Sequence, residues 1–167
     1  MIMDRDIVVI ADNIRSSHNV GSLLRTCEGI GVNKVYLTGY TPYPNKTHDQ
    51  RLPHIANKVT RRIAKTSLGA ELSIKWDFSD DFNGVVEALK KQNYEIIAVE
   101  LSKDSIKLSD LKIPKKVVFI FGNERTGIEE QHLALTDATT YIPMLGSKES
   151  FNVVQAAAMV LYAARYN

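Results

Sequence analysis

The sequence predicts an α/β domain with a mainly parallel sheet flanked by helices. Three observations carry this. Short apolar runs rich in β-branched residues recur along the chain, helical repeats separate them, and no linker, internal repeat or low-complexity tract divides the 167 residues. Ile7–Ile10, Val35–Leu37, Ile96–Val99 and Val117–Phe121 are apolar at successive rather than alternate positions, as strands covered on both faces are. Leu72, Ile74 and Trp76 alternate instead, as on an edge strand, and Thr139–Leu145 is the last strand candidate. Between strands, Val20, Leu23, Leu24 and Cys27 follow helical spacing with Ser16 or Ser17 as cap, and Val85, Val86 and Leu89 before Lys90 and Lys91 form an amphipathic repeat. The last helix, roughly Phe151 to Tyr166, is apolar nearly all round and so requires cover on more than one side. It is either a core helix between sheet and neighbours or a subunit interface made close by its alanines.

Composition bounds the function. Hydrophobic residues make up 44% and charged residues 24% of the chain, ordinary for one globular domain spanning residues 1–167. A net charge of +2 means that any nucleic-acid surface must be local. One cysteine, Cys27, excludes an internal disulfide and suits a reducing compartment. Asp4, Arg5 and Asp6 lead directly into the first strand, without the apolar core of a signal peptide. The most apolar segment, Val153–Ala164, is shorter than the ~20 residues that cross a bilayer. A cytoplasmic protein without a membrane partner is expected.

Three segments carry chemistry. The first runs from Asn13 through Arg15, Asn19 and Arg25, after the first strand, where parallel sheets place ligands. Arg25 lies among Leu23, Leu24 and Cys27 and is expected to be partly buried, needing a carboxylate or a phosphate as acceptor. The second, Phe121-Gly-Asn-Glu-Arg-Thr-Gly127, spaces its glycines like a phosphate loop, but Ile128 and Glu129 replace the required lysine and hydroxyl, which excludes an NTPase. No Gly-x-Gly-x-x-Gly follows the first strand either, so a dinucleotide site is unsupported. In the third, Tyr141 to Ala157, a strand breaks into a Gly/Ser/Lys/Glu loop and enters the last helix, with Ser150 as cap and Asn152 one turn inside.

Together these segments resemble the three motifs of the SpoU (TrmH) family within the SPOUT methyltransferases. Asn19-Val-Gly-Ser-Leu-Leu-Arg25 is similar to the first, Phe121–Gly127 to the second, and Ile142-Pro-Met-Leu-Gly with Ser150-Phe-Asn-Val to the third. Order and spacing agree across nearly the whole chain. Two positions depart from the pattern. Phe151 stands where the family usually has leucine, and Arg125 follows the motif glutamate where a neutral residue is common.

The resemblance implies an α/β fold with a C-terminal trefoil knot, a homodimer with each site near the subunit interface, and transfer of methyl from S-adenosylmethionine to a ribose 2′-hydroxyl of tRNA or rRNA. S-adenosylhomocysteine is the product. Carried over by residue, backbone at Leu101, Gly122, Ile142 and Phe151 holds the cofactor, Arg25 is the catalytic arginine, and Asn19, Glu124, Ser150 and Asn152 complete the pocket. Arg25 acts either as the base or as a charge that stabilises the developing alkoxide. No counterpart of the additional RNA-binding domain of many larger relatives is expected. RNA contact is therefore expected from Arg15 and from the basic stretch Asn45–Lys65, above all Arg61, Arg62 and Lys65, unless that stretch is a solvated face. His48 and His54 lack cysteine companions, so no metal is expected. The alternatives are a SPOUT-fold base methyltransferase and a non-catalytic RNA- or ribosome-binding module.

Overall fold

Seven strands form one sheet in a computed structural model of the chain, described for residues 3–167. In chain order the elements are β1 (Asp6–Asp12), α1 (Ser17–Ile30), β2 (Lys34–Thr38), α2 (Pro53–Ser67), α3 (Ala70–Ser73), β3 (Trp76–Ser79) and α4 (Phe82–Lys91). Then follow β4 (Glu95–Val99), β5 (Ile106–Lys107), β6 (Lys116–Phe121), α5 (Glu130–Leu133), β7 (Ala138–Tyr141) and α6 (Val153–Tyr166). The strand order is β3-β2-β1-β6-β4-β7-β5, and every neighbouring pair is parallel.

The unalternating runs became the central strands because both sheet faces are covered. Ile7, Val9 and Ala11 of β1 face a core shared with Val20, Leu23, Leu24 and Cys27 of α1 and Ala157, Val160, Leu161 and Ala164 of α6. Val8 and Ile10 point the other way, toward Phe82, Val85, Val86 and Leu89 of α4. Ser16 caps α1 by accepting from the Asn19 N–H. The chain ends are clamped together by Arg165, whose guanidinium donates to the carbonyls of Ile30 and Gly31 at the end of α1 and of Met3 and Arg5. A cation there also opposes the negative end of the α1 dipole.

Several local expectations are corrected. The edge strand exists but starts four residues later than Leu72: Ala70–Ser73 takes one helical turn, and pairing begins at Trp76 against Val35. Trp76 Nε1 donates to the Glu71 carbonyl, which ties the two elements. The last strand stops at Tyr141 rather than Leu145, because Pro143 has no N–H to offer a ladder. The last helix begins at Val153, and its cap is Asn152, accepting from the Val154 N–H at 2.9 Å; Ser150 lies in the preceding loop. Asn152 is thus the end of the apolar helix rather than an intrusion into it. Among the described residues no helix is long and apolar enough to cross a membrane, and no three His, Cys, Asp or Glu gather as metal ligands.

Candidate active site

β1 and β6 are neighbours, but the chain leaves β1 for α1 on one face and leaves β6 for Ile128 and Leu133 on the other. Loops that diverge this way open a crevice at the carboxyl edge. Next to it the loops after β4, β6 and β7 enclose a cleft of about 710 Å³. Its lining includes Leu101, Gly122, Glu124, Ile142, Ser150 and Phe151, so all four expected cofactor positions and two of the expected catalytic ones line one cleft.

The loop after β6 is built by Asn123. Its backbone N–H and C=O both pair with Gly127, and its side-chain oxygen accepts from the N–H groups of Arg125 (2.8 Å) and Thr126 (3.0 Å). Gly127 takes φ 70°, and a Cβ there would collide with the Glu100 carboxylate. A Cβ on Gly122 would lie 2.5 Å from Ile128 Cγ1 and 2.8 Å from the Gly127 backbone, so glycine alone lets the two strands of this loop close.

Glu124 joins the three segments. One carboxylate oxygen accepts from the Arg15 N–H (2.9 Å), the other from the Ser16 N–H (3.2 Å) and from Asn19 Nδ2 (2.7 Å). Asn19 Oδ1 in turn accepts from Asn152 Nδ2 at 3.4 Å. Burial pushes the Glu124 carboxyl up, but the donors from Arg15, Asn19 and Ser16 outweigh it and hold the group below its ordinary value. Glu124 is therefore an anion at neutral pH, seated at the positive end of α1. Its lowered pKa makes it a weak base.

Arg25 behaves differently from expectation: it is exposed, not partly buried. Helical spacing turns it about 150° away from the stripe formed by Val20, Leu23, Leu24 and Cys27, toward His18 and Ser22. It also lies roughly 9 Å along the axis from Asn19. It is absent from the cleft wall, and no described residue accepts from its guanidinium. Arg15 is exposed as well, with its backbone on Glu124 and its side chain free among the described residues.

The basic stretch proves to be half loop, half helix. Arg51 is taken by Asp49 and by the Tyr43 carbonyl and ring, and this pairing holds the Asp49 carboxyl well below the usual range. Lys58, Arg61, Arg62 and Lys65, with His54 and Asn57, line a surface groove of about 460 Å³ on α2. They point away from Ala56, Ile63 and Ser67, which bury the opposite face.

Sequence reasoning missed Asn123 and Glu100. Glu100, just past β4, accepts from the Leu101 and Ile128 N–H groups and so braces two cleft walls. An asparagine three residues before a Thr-Gly pair was a legible signal for a side-chain-built loop. Glu100 gave none, because its partner is 28 residues away.

Comparison with known proteins agrees with this fold. The model of the SpoU rRNA Methylase family matches residues 6–162. A tRNA (guanosine(18)-2′-O)-methyltransferase of Aquifex aeolicus is 30% identical over 164 residues, 96% of this chain and 69% of that protein. The crystal structure of the A. aeolicus TrmH/SpoU tRNA modifying enzyme superposes with a TM-score of 0.78 at 26% identity, covering 96% of this chain and 75% of that one. An AdoMet-bound rRNA methyltransferase from Sinorhizobium meliloti has the same fold, with a TM-score of 0.78 at 20% identity over 97% of this chain and 56% of that one.

Proposed function

Because this chain belongs to the SpoU rRNA methylase family, we propose that it transfers a methyl group from S-adenosylmethionine to a ribose 2′-hydroxyl of tRNA or rRNA. One observation supports the reading above others: the hydrogen-bonded line Asn152–Asn19–Glu124 joins all three motifs at the mouth of a cleft.

The cleft fits the cofactor. Its volume lies within the ~300–1,000 Å³ of small-molecule sites. Val99, Phe121, Ile142, Phe151 and Ala156 offer apolar faces for adenine, backbone at Leu101, Gly122, Ile142 and Phe151 offers edge hydrogen bonds, and the Glu124 carboxylate favours a cationic ligand. When bound, S-adenosylmethionine supplies an electrophilic methyl on a sulfonium, with S-adenosylhomocysteine as product. The chain's own part is positional. The apolar wall excludes water, Glu124 fixes Asn19, and Asn19 with Ser150 and Asn152 frames the place where a ribose enters. Alignment of this kind contributes at most about 7–11 kcal/mol. The Arg25 guanidinium holds a phosphate and stabilises the developing alkoxide, while the hydroxyl proton passes to solvent at the open mouth of the cleft.

Arg25 is exposed and does not line its own cleft, so in this reading it serves the ribose bound by another copy. α6 leaves Tyr162 at 60% and Tyr166 at 40% exposure, beside α1, which carries Arg25. A homodimer through these helices covers the apolar face and brings each Arg25 toward the partner's cleft. The trefoil knot and a cytoplasmic location belong to the same proposal. Calorimetric titration tests the cofactor half: S-adenosylmethionine and S-adenosylhomocysteine bind without RNA, ATP and NAD do not compete, and no heat at millimolar ligand refutes it. Mass mapping of ribose methylation in RNA from cells with and without the protein identifies the nucleotide.

RNA backbone is held by Arg15 at the cleft and by Arg61, Arg62 and Lys65 on α2. That helix carries no acid, so its cations repel one another at i,i+3 and i,i+4 and gain when phosphates neutralise them. Arg61→Glu with Arg62→Glu should weaken RNA binding and reduce the slope of log affinity against log salt by about 1–2, leaving cofactor affinity unchanged. A merely solvated face predicts an unaltered slope.

A further inference from the structure

Tyr40, in the turn after β2, is 61% exposed yet firmly held. Its N–H donates to Asn13 Oδ1 (3.2 Å), and its hydroxyl accepts from Asn123 Nδ2 at 2.7 Å. The next residue, Thr41, is buried, donating to the Ala11 carbonyl and accepting from the Ile14 N–H. Tyr43 in the same loop shows the ordinary fate of such a ring: it stacks on Phe78 at 4.0 Å, and the Arg51 guanidinium covers it at 3.5 Å. Leaving Tyr40 in water forgoes that burial. The tether at its hydroxyl keeps the ring from folding back.

What surrounds Tyr40 explains the arrangement. Asn123, which holds the hydroxyl, lines the cleft and also fixes the Arg125 N–H. Asn13, which takes the Tyr40 N–H, lies two residues before Arg15. Arg15 and Arg125 are exposed, and neither guanidinium has an acceptor among the described residues. An anchored aromatic face beside two free cations, at the edge of a cleft, matches what unpaired nucleotides bind: bases stack on rings while phosphates meet arginine.

We propose that Tyr40 is a stacking platform for an unpaired RNA base next to the methylated nucleotide, with Arg15 and Arg125 on the flanking phosphates. This rests on the RNA-methyltransferase reading. It places the target in a loop or at a strand end rather than inside a duplex, because only an unstacked base offers its face. The hydroxyl aims the ring and does not touch RNA.

The test compares Tyr40→Ala and Tyr40→Phe for RNA binding and methylation, with cofactor binding as the control. Tyr40→Ala should lose about tenfold in RNA affinity at unchanged cofactor affinity, and Tyr40→Phe, which keeps the ring, should lose clearly less. A direct readout comes from Tyr40→Trp combined with Trp76→Phe, which leaves one indole in the chain. RNA should quench its emission with the same dissociation constant as binding. Equal losses in Tyr40→Ala and Tyr40→Phe, absence of quenching, or a loss that accompanies dimer dissociation in sedimentation would each overturn the platform. Wild-type protein that methylates no RNA would instead overturn the reading beneath it.

Discussion

Arg25→Ala should fold, bind S-adenosylmethionine normally and lose about 10²–10³ in methyl transfer, the range seen when one group stabilising a developing oxyanion is removed. The expectation rests on exposure. Arg25 is exposed and its guanidinium bonds to nothing among the described residues, so its removal costs the fold little. Arg25→Lys should recover only a small part, since an ammonium cannot reproduce the planar fork. Mixing decides where the residue acts. If Arg25 serves the partner's cleft, an equal mixture of Arg25→Ala and Glu124→Gln, exchanged to random dimers, regains about a quarter of wild-type activity, because half the dimers then hold one intact site. Action within one chain predicts no recovery. Near-normal turnover of Arg25→Ala alone would remove it from the mechanism.

Glu124→Gln should lower both stability and activity. Its carboxylate collects three donors from the start of α1, and a glutamine can accept through only one atom while its NH₂ faces an N–H. A loss of about 2 kcal/mol in thermal unfolding is expected, limited because the group is partly in water. Methyl transfer should fall further, since Asn19 and Asn152 lose the anchor that aims them. The pH dependence has a fixed sign. Because folding lowers the Glu124 pKa, its contribution is complete above the unfolded value of 4.5 and disappears as pH falls through the folded value. Wild type should therefore lose stability in acid more steeply than Glu124→Gln, and parallel curves below pH 4.5 would show that the carboxylate is not the anchor.

The central sheet was legible in the sequence because burial on both faces leaves a local mark. Ile7–Ile10, Ile96–Val99 and Val117–Phe121 are apolar without a break, and each became a strand. The Leu72–Trp76 alternation misled because three residues of pattern do not outweigh a helical turn that buries Ala70 and Glu71. At the site, the motif residues named Glu124, Asn19 and Asn152, and the family they resemble was right. Tertiary structure alone decided their relations, since the bonds from Asn19 to Glu124 and from Asn152 to Asn19 span 105 and 133 residues, and nothing local encodes a partner so distant. The same holds for Arg25. Its neighbours in sequence are buried, and only the direction of the α1 face that packs on the sheet turns it outward, so that it does not line its own cleft.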